Sequence, residues 1–289
     1  MIAIPAPPIR HQQLILTIYG LYGREGTGSL PVSTLIQLLG DLGHEAPGVR
    51  SAVSRMKSKG VLTSSKQGGS ATYRLSASAL EIVEEGDARI FAPYRAGTHG
   101  HWVLAIFSVP ESQRDRRHQL RTELTRLGFG AMASGTWIAP ADVLPGAKRR
   151  LEARGLAGYV EFFTGTYDGE EAPAERMREK VSEWWDLDTL AEQIDEFMEY
   201  FGTGLDDWST RLEQAPVDSP DAAAELHRAA FQYYIPMLTL WRRLPYRDPG
   251  LPLEYLPPGW RGPVAREIFF GVHDLISPLA SRHAHQLLG

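Results

Sequence analysis

The chain has 289 residues, 43% hydrophobic and 22% charged, with a formal net charge of −5; this is too long for one ordinary core and fits two or three domains. It has no cysteine, which excludes disulfides, thiolate metal sites and cysteine nucleophiles. It contains neither the unbroken apolar stretch that a membrane-spanning helix needs nor, at MIAIPAPPIRHQQ, the pattern of a secretory leader, so a cytoplasmic location is expected.

The first segment, to about Gly97, reads as helix–strand–helix–helix–strand–strand. Leu14, Ile15, Ile18 and Leu21–Tyr22 recur at helical spacing, and residues 23–28 break the pattern. Leu30 and Val32 alternate as a short strand would. Ser33 is the expected N-cap of a helix presenting Leu35, Ile36, Leu38, Leu39 and Leu42, which Gly43 ends. Pro47 suits the first turn of the next helix, which Gly60 stops. Val61–Ser65 and Ala71–Leu75 read as strands around a turn at residues 66–70.

The second segment begins near His99. His101–Val109 reads as a strand and Arg114–Leu127 as a helix. Phe129–Ala133 and Thr136–Ala139 read as strands parted by Ser134-Gly135. Ala141–Arg154 reads as a helix and Tyr159–Phe163 as a last strand. This β-α-β-β-α-β order is the ferredoxin-like arrangement. From Pro173 the pattern turns helical, with Trp184, Trp185, Leu187, Leu190, Ile194, Phe197, Met198 and Phe201 on an amphipathic stretch. A loop is expected near residues 215–220, then a helix over Ala222–Arg243 that Pro236 would kink. A proline-rich connection follows to Trp260. A final helix spans Val264–His285, with a break expected at Pro278. The fold class is therefore α+β in three domains, 1–97, 98–172 and 173–289: a winged helix-turn-helix, a ferredoxin-like centre and a helical C-terminal effector or dimerisation domain.

Charge locates the first candidate site. Residues 48–74 carry Arg50, Arg55, Lys57, Lys59, Lys66 and Arg74 without one Asp or Glu, whereas acids crowd the stretch from Asp168 to Glu225. A basic patch on an acidic chain confines attraction for phosphate to one place. At 100° per residue, Val49, Ala52, Val53 and Met56 share one face of the helix after Pro47. Arg50, Ser51, Ser54, Arg55 and Ser58 share the other. A recognition helix needs this division, because one face packs and the other enters the major groove. Arg50, Ser51 and Ser54 are placed for base edges, and Arg55, Lys57 and Lys59 for phosphates. Lys66 and Gln67 would sit at the tip of a wing. Double-stranded operator DNA is the expected partner.

Leu39-Gly40, Leu42-Gly43, the run Val49–Met56, Lys59–Leu62 and Tyr73–Ser76 resemble the phenylacetic acid catabolism repressor (PaaX-type) family. So do Gly86–Phe91, His101-Trp102, Arg117 with Leu120-Arg121 and Leu124, Leu127–Gly130, Gly135–Pro140, Trp184 with Asp186-Leu187, Tyr200-Phe201, Asp248-Pro249, Leu251-Pro252, Leu256-Pro257, Trp260 and Gly262. Glu45 departs from the pattern, standing where Asp or Ser would cap better. The resemblance implies a homodimeric, non-enzymatic repressor of an aromatic-catabolism operon, released by a CoA thioester such as phenylacetyl-CoA. Cations beside aromatics at Trp241, Arg242, Arg243 and Tyr246 are candidates for holding such an effector. A regulator of another pathway and a protein-interaction adaptor are the competing readings.

Other signals carry less. The middle segment also looks like the small nuclease fold of CRISPR adaptation, but its first strand ends Ile106–Pro110 without the carboxylate that a metal nuclease needs. His99 with His101, and His283 with His285, lack a third ligand. Residues 23–28 lack the Lys-Ser/Thr of a phosphate-binding loop. No metal and no resident cofactor is expected.

Overall fold

A computed structural model describes residues 7–24, 28–67, 70–91, 100–167, 174–215 and 219–288, with the backbone alone for residues 65–67, 70 and 174. The fold is α+β. It opens with α1 (His11–Tyr22), β1 (Ser29–Pro31), α2 (Val32–Asp41), α3 (Ala46–Ser58), β2 (Leu62–Gln67), β3 (Ser70–Leu75) and α4 (Ala77–Ile90). The three strands form an antiparallel sheet in the order β1-β3-β2, with Leu30 opposite Tyr73 and Leu62 opposite Leu75. Helix α2 begins before Ser33. Pro31 precedes it in extended conformation (φ −62°, ψ 144°), because its ring fixes φ while the chain leaves β1. The hairpin strands run to Gln67 and from Ser70, so they enter the stretch expected as a turn; Gly68 and Gly69 lie outside the described residues. Helix α4 has no counterpart in the sequence expectation. Its Ser76 cap accepts from the Ala79 amide at 3.3 Å, and Ala79, Val83, Gly86 and Ile90 are its buried stripe.

Next come β4 (His101–Phe107), α5 (Arg114–Arg126), β5 (Gly130–Ala133), β6 (Thr136–Pro140), α6 (Leu144–Ala153) and β7 (Val160–Thr166). The sheet order is β5-β6-β4-β7, antiparallel throughout. One face of this sheet (Val103, Ala105, Trp137, Ala139 and Val160) packs on Leu120, Leu124, Ala147 and Leu151 of the two helices. Glu123 is nearly buried beneath them and accepts from Arg150 Nε at 2.6 Å.

The remaining helices are α7 (Ala174–Trp184), α8 (Leu187–Phe201), α9 (Gly204–Glu213), α10 (Pro220–Trp241) and α11 (Gly262–Leu288). Pro236 lies inside α10, and α11 runs on past Pro278. The chain groups into two compact units. One holds residues 1–91, 195–242 and 263–289, and the other holds 92–194 and 243–262. Residues 173–289, treated above as one segment, are thus shared between them.

In the second unit, the outward residues Trp102 and Ile138 are covered by Met177, Val181, Trp184, Trp185, Leu251 and Leu256. Left bare, those strand residues would put an apolar face in water. The Trp185 indole donates to the Gly128 carbonyl at 3.0 Å. A Cβ on Gly130 would lie 2.6 Å from the Trp185 ring, so only glycine admits that ring against β5.

In the first unit, α10 is buried on nearly every side from Ala229 to Trp241. The Thr239 hydroxyl lies 2.8 Å from that of Thr17 on α1. The Trp241 indole donates to the Ile90 carbonyl at 3.2 Å. Asp41, at the end of α2, takes Arg228 at 2.7 Å and His283 Nε2 at 2.8 Å, and its carbonyl accepts from Gln232 at 2.7 Å. Asp41→Ala should cost about 1–3 kcal/mol, the range for leaving a largely buried partner, here His283, unmatched. In urea unfolding, Asp41→Ala and His283→Ala should be non-additive by at least about 0.5 kcal/mol; simple additivity would show that the contact contributes nothing of its own.

Candidate DNA-binding interface

The sequence of α3 explains both its ends. Pro47 occupies its first turn, where a missing amide hydrogen costs nothing. Glu45 stands at the N-cap in extended conformation (φ −75°, ψ 145°) and its side chain makes no capping bond. Arg55 and Lys57 lie in the last turn, where cations suit the helix dipole. Gly60 then turns the chain at φ +70°, a conformation glycine adopts without strain.

The two faces of α3 separate as the spacing predicts. Val49, Ala52, Val53 and Met56 are buried against α1, α2 and β2. Arg50, Ser51, Ser54, Arg55, Lys57, Ser58 and Lys59 are all exposed. Around the axis, Lys57, Arg50, Ser54, Ser58, Ser51 and Arg55 form one continuous stripe of basic and small polar residues. On β3, Arg74 is also exposed, opposite Thr63 of β2. The backbones of Lys66 and Gln67 pair with Ala71 and Ser70 in the hairpin; their side chains lie outside the described residues.

Two residues that the sequence reading passed over sit at the start of α3. The rings of His11 and His44 meet at 4.7 Å between centroids. His11 also packs so closely on α3 that a Cβ on Gly48 would lie 2.8 Å from its Nε2. Burial, and then the nearby His11, lower the His44 pKa from its ordinary value. Nothing in the sequence joins residues 11 and 44; folding α1 across the front of α3 does.

The other candidates are placed differently. The Trp241 ring stacks on Phe269 at 4.4 Å and 11°, and its N–H is taken by Ile90. Arg242 is half-buried and donates to the Thr17 hydroxyl at 3.3 Å. Arg243 and Tyr246 are half-buried and belong to the second unit. His283 is held by Asp41, and His285 lies edge-on to Tyr22. His101 is exposed, while His99 lies outside the described residues. Residues 25–27 of the glycine-rich stretch also lie outside them, and Arg24 beside it pairs with Asp87. Beyond β4 the first acid is Glu111, which pairs with Arg114 at 2.8 Å and Arg117 at 3.1 Å. Among the described residues no three acids or histidines gather to hold a metal ion, and no helix is long and apolar enough to cross a membrane.

Three family models match in order along the chain. The PaaX-like protein model matches residues 10–79, the PaaX protein central Cas2-like domain residues 95–177, and the PaaX-like protein C-terminal domain residues 185–286. The chain belongs to the PaaX family. Among its relatives is the transcriptional repressor PaaX of Escherichia coli (strain K12), 26% identical over 279 residues, spanning 96% of this chain and 84% of that protein. A solved structure, that of the uncharacterized protein Rv0674 from Mycobacterium tuberculosis, shares the fold with a TM-score of 0.55. It is 24% identical, and the match covers 99% of each chain.

The family match places α3 in the stretch common to these proteins, and the His11–His44 contact ties its start to pH. Because the folded state holds His44 below its ordinary pKa, the unfolded state binds more protons just beneath that value, and stability falls as pH drops. The midpoint of thermal unfolding should therefore fall from pH 7.5 to pH 5.5, and a His44→Gln variant should show a shallower fall. An equal slope in both proteins would exclude His44 as a contributor.

Proposed function

We propose that the protein is a sequence-specific DNA-binding repressor of transcription. The observation that carries this reading is the exposed stripe of Arg50, Ser51, Ser54, Arg55, Lys57 and Lys59 on a helix whose opposite face is buried. We read α2 and α3 as a helix-turn-helix and the β2–β3 hairpin as its wing. We read the β-α-β-β-α-β segment, with its central strands β4 and β6, as ferredoxin-like. The E. coli relative, named as a transcriptional repressor, supports the assignment. Aromatic-compound catabolism, phenylacetate in particular, is the class of operon we assign. A CoA thioester such as phenylacetyl-CoA is the class of effector.

As a homodimer, the protein would set two recognition helices about 34 Å apart, one turn of DNA, or a multiple of that. Release then requires that the effector bind the DNA-incompetent state more tightly than the competent one. Contacts within the first unit support such coupling: α10 and α11 hold α1 and α2 through Thr17, Asp41 and their partners. In this reading the protein performs no chemistry of its own.

Fluorescence anisotropy with the chain's own upstream intergenic DNA, against scrambled DNA of equal length, tests the proposal. Specific binding released by phenylacetyl-CoA is the expected result. Equal affinity for both DNAs at physiological salt would reject the repressor and favour a protein-interaction adaptor. Arg50→Ala should cost about 1–3 kcal/mol and relax sequence preference. Lys66→Ala should weaken all sequences alike and reduce the salt slope by about one. Identical behaviour of the two variants would refute this division into base and phosphate contacts.

A further inference from the structure

A cleft of about 490 Å³ opens in the second unit between α5 and the β5–β6 hairpin. Its volume falls within the range of small-molecule sites. Val109, Met132 and Trp137 give it an apolar wall, and Ser134 adds a hydroxyl. Arg117 and Arg121 enter from α5, and no carboxylate is among the described residues that line it. Their spacing of four residues sets both guanidinium groups on one helix face.

The two arginines are held differently. Arg117 donates to the Val109 carbonyl at 2.8 Å and to Glu111 at 3.1 Å, so its position is fixed and its charge partly matched. Arg121 is exposed and has no ion pair among the described residues. A planar guanidinium beside an apolar wall suits one chemistry in particular, an anion with an apolar body, because the fork binds carboxylate or phosphate in two-point fashion.

We propose that this cleft binds an amphipathic anion. Its aryl or acyl group rests on Trp137 and Met132, and its carboxylate or phosphate meets Arg121, with Arg117 set behind. Linking the cleft to regulation rests on the reading above, that a small effector releases the DNA; the ligand site itself does not. The shared chemistry has two sources, a free aryl carboxylate or the phosphates of an aryl thioester. A thioester would seat its acyl end on the apolar wall and run out through the open side, its phosphates meeting Arg121 where the arm doubles back over the exposed guanidinium.

Calorimetric titration of the full chain with phenylacetate and, separately, with phenylacetyl-CoA tests the site. At least one probe should bind, Arg121→Glu should weaken it about tenfold or more, and Arg121→Lys should weaken it less. Arg121 is exposed, so these variants should fold, and operator affinity without ligand should stay as in the parent. Failure of both probes to bind the parent would overturn the site. So would unchanged affinity in Arg121→Glu, or loss on Arg243→Ala alone, which would move the ligand to the Trp241–Tyr246 stretch. A change in oligomeric mass on Arg121→Glu without a change in probe affinity would instead make the cleft an interface between copies. Probe binding that depends on Arg121 but leaves operator affinity untouched would keep the site and reject the effector reading; operator binding without probe binding would reject the site and keep the DNA-binding repressor.

Discussion

The packing of α10 against the N-terminal helices is the constraint on which the first unit depends. This helix is buried on nearly every side from Ala229 to Trp241, which a helix tolerates only when its polar groups find partners within the protein. Thr239 finds Thr17, and the Trp241 indole finds Ile90. At the rim, Asp41 gathers Arg228, His283 and Gln232. The segment that presents α3 is therefore not a free-standing module. Its α1, α2 and α4 belong to one compact unit with α10 and α11, far along the chain.

The second unit meets a different demand. A four-stranded sheet has two faces, and α5 and α6 cover only one. Trp102 and Ile138 on the other are covered by α7, by Trp185 and by the irregular stretch carrying Leu251 and Leu256. The fit is close enough that Gly130 must lack a side chain beneath Trp185. The proline-rich stretch follows from this role. Prolines lack the amide hydrogen that regular elements need, and a chain lying across a sheet face as a cover can dispense with it.

These arrangements bear on function through rigidity. Helix α3 is braced on one side by α1, α2 and β2 and at its start by the His11–His44 pair, while its basic stripe meets solvent. In the function proposed above, α3 would have to hold its side chains in register with base edges, and a braced helix does so at less entropic cost on binding.

Much of this was legible in the residues, for reasons of period and composition. The buried and exposed faces of α3 follow from a 3.6-residue repeat and from the absence of acids among residues 48–74. The four strands around α5 and α6 follow from apolar runs punctuated by glycine. Helix α4 was missed because Gly86 and its polar neighbours interrupt an otherwise regular stripe, and only Val83 and Ile90 mark it plainly. The start of α2 was misplaced because Pro31, without a capping side chain, serves where Ser33 was expected. What periodicity could not supply were the contacts between residues distant in sequence: His11 with His44, Asp41 with Arg228 and His283, Trp185 with Gly128 and Gly130. A local repeat reports which face of an element is apolar, but not which other apolar face will cover it. That choice belongs to tertiary packing, and it divided the C-terminal residues between two units and stacked the Trp241 ring on Phe269.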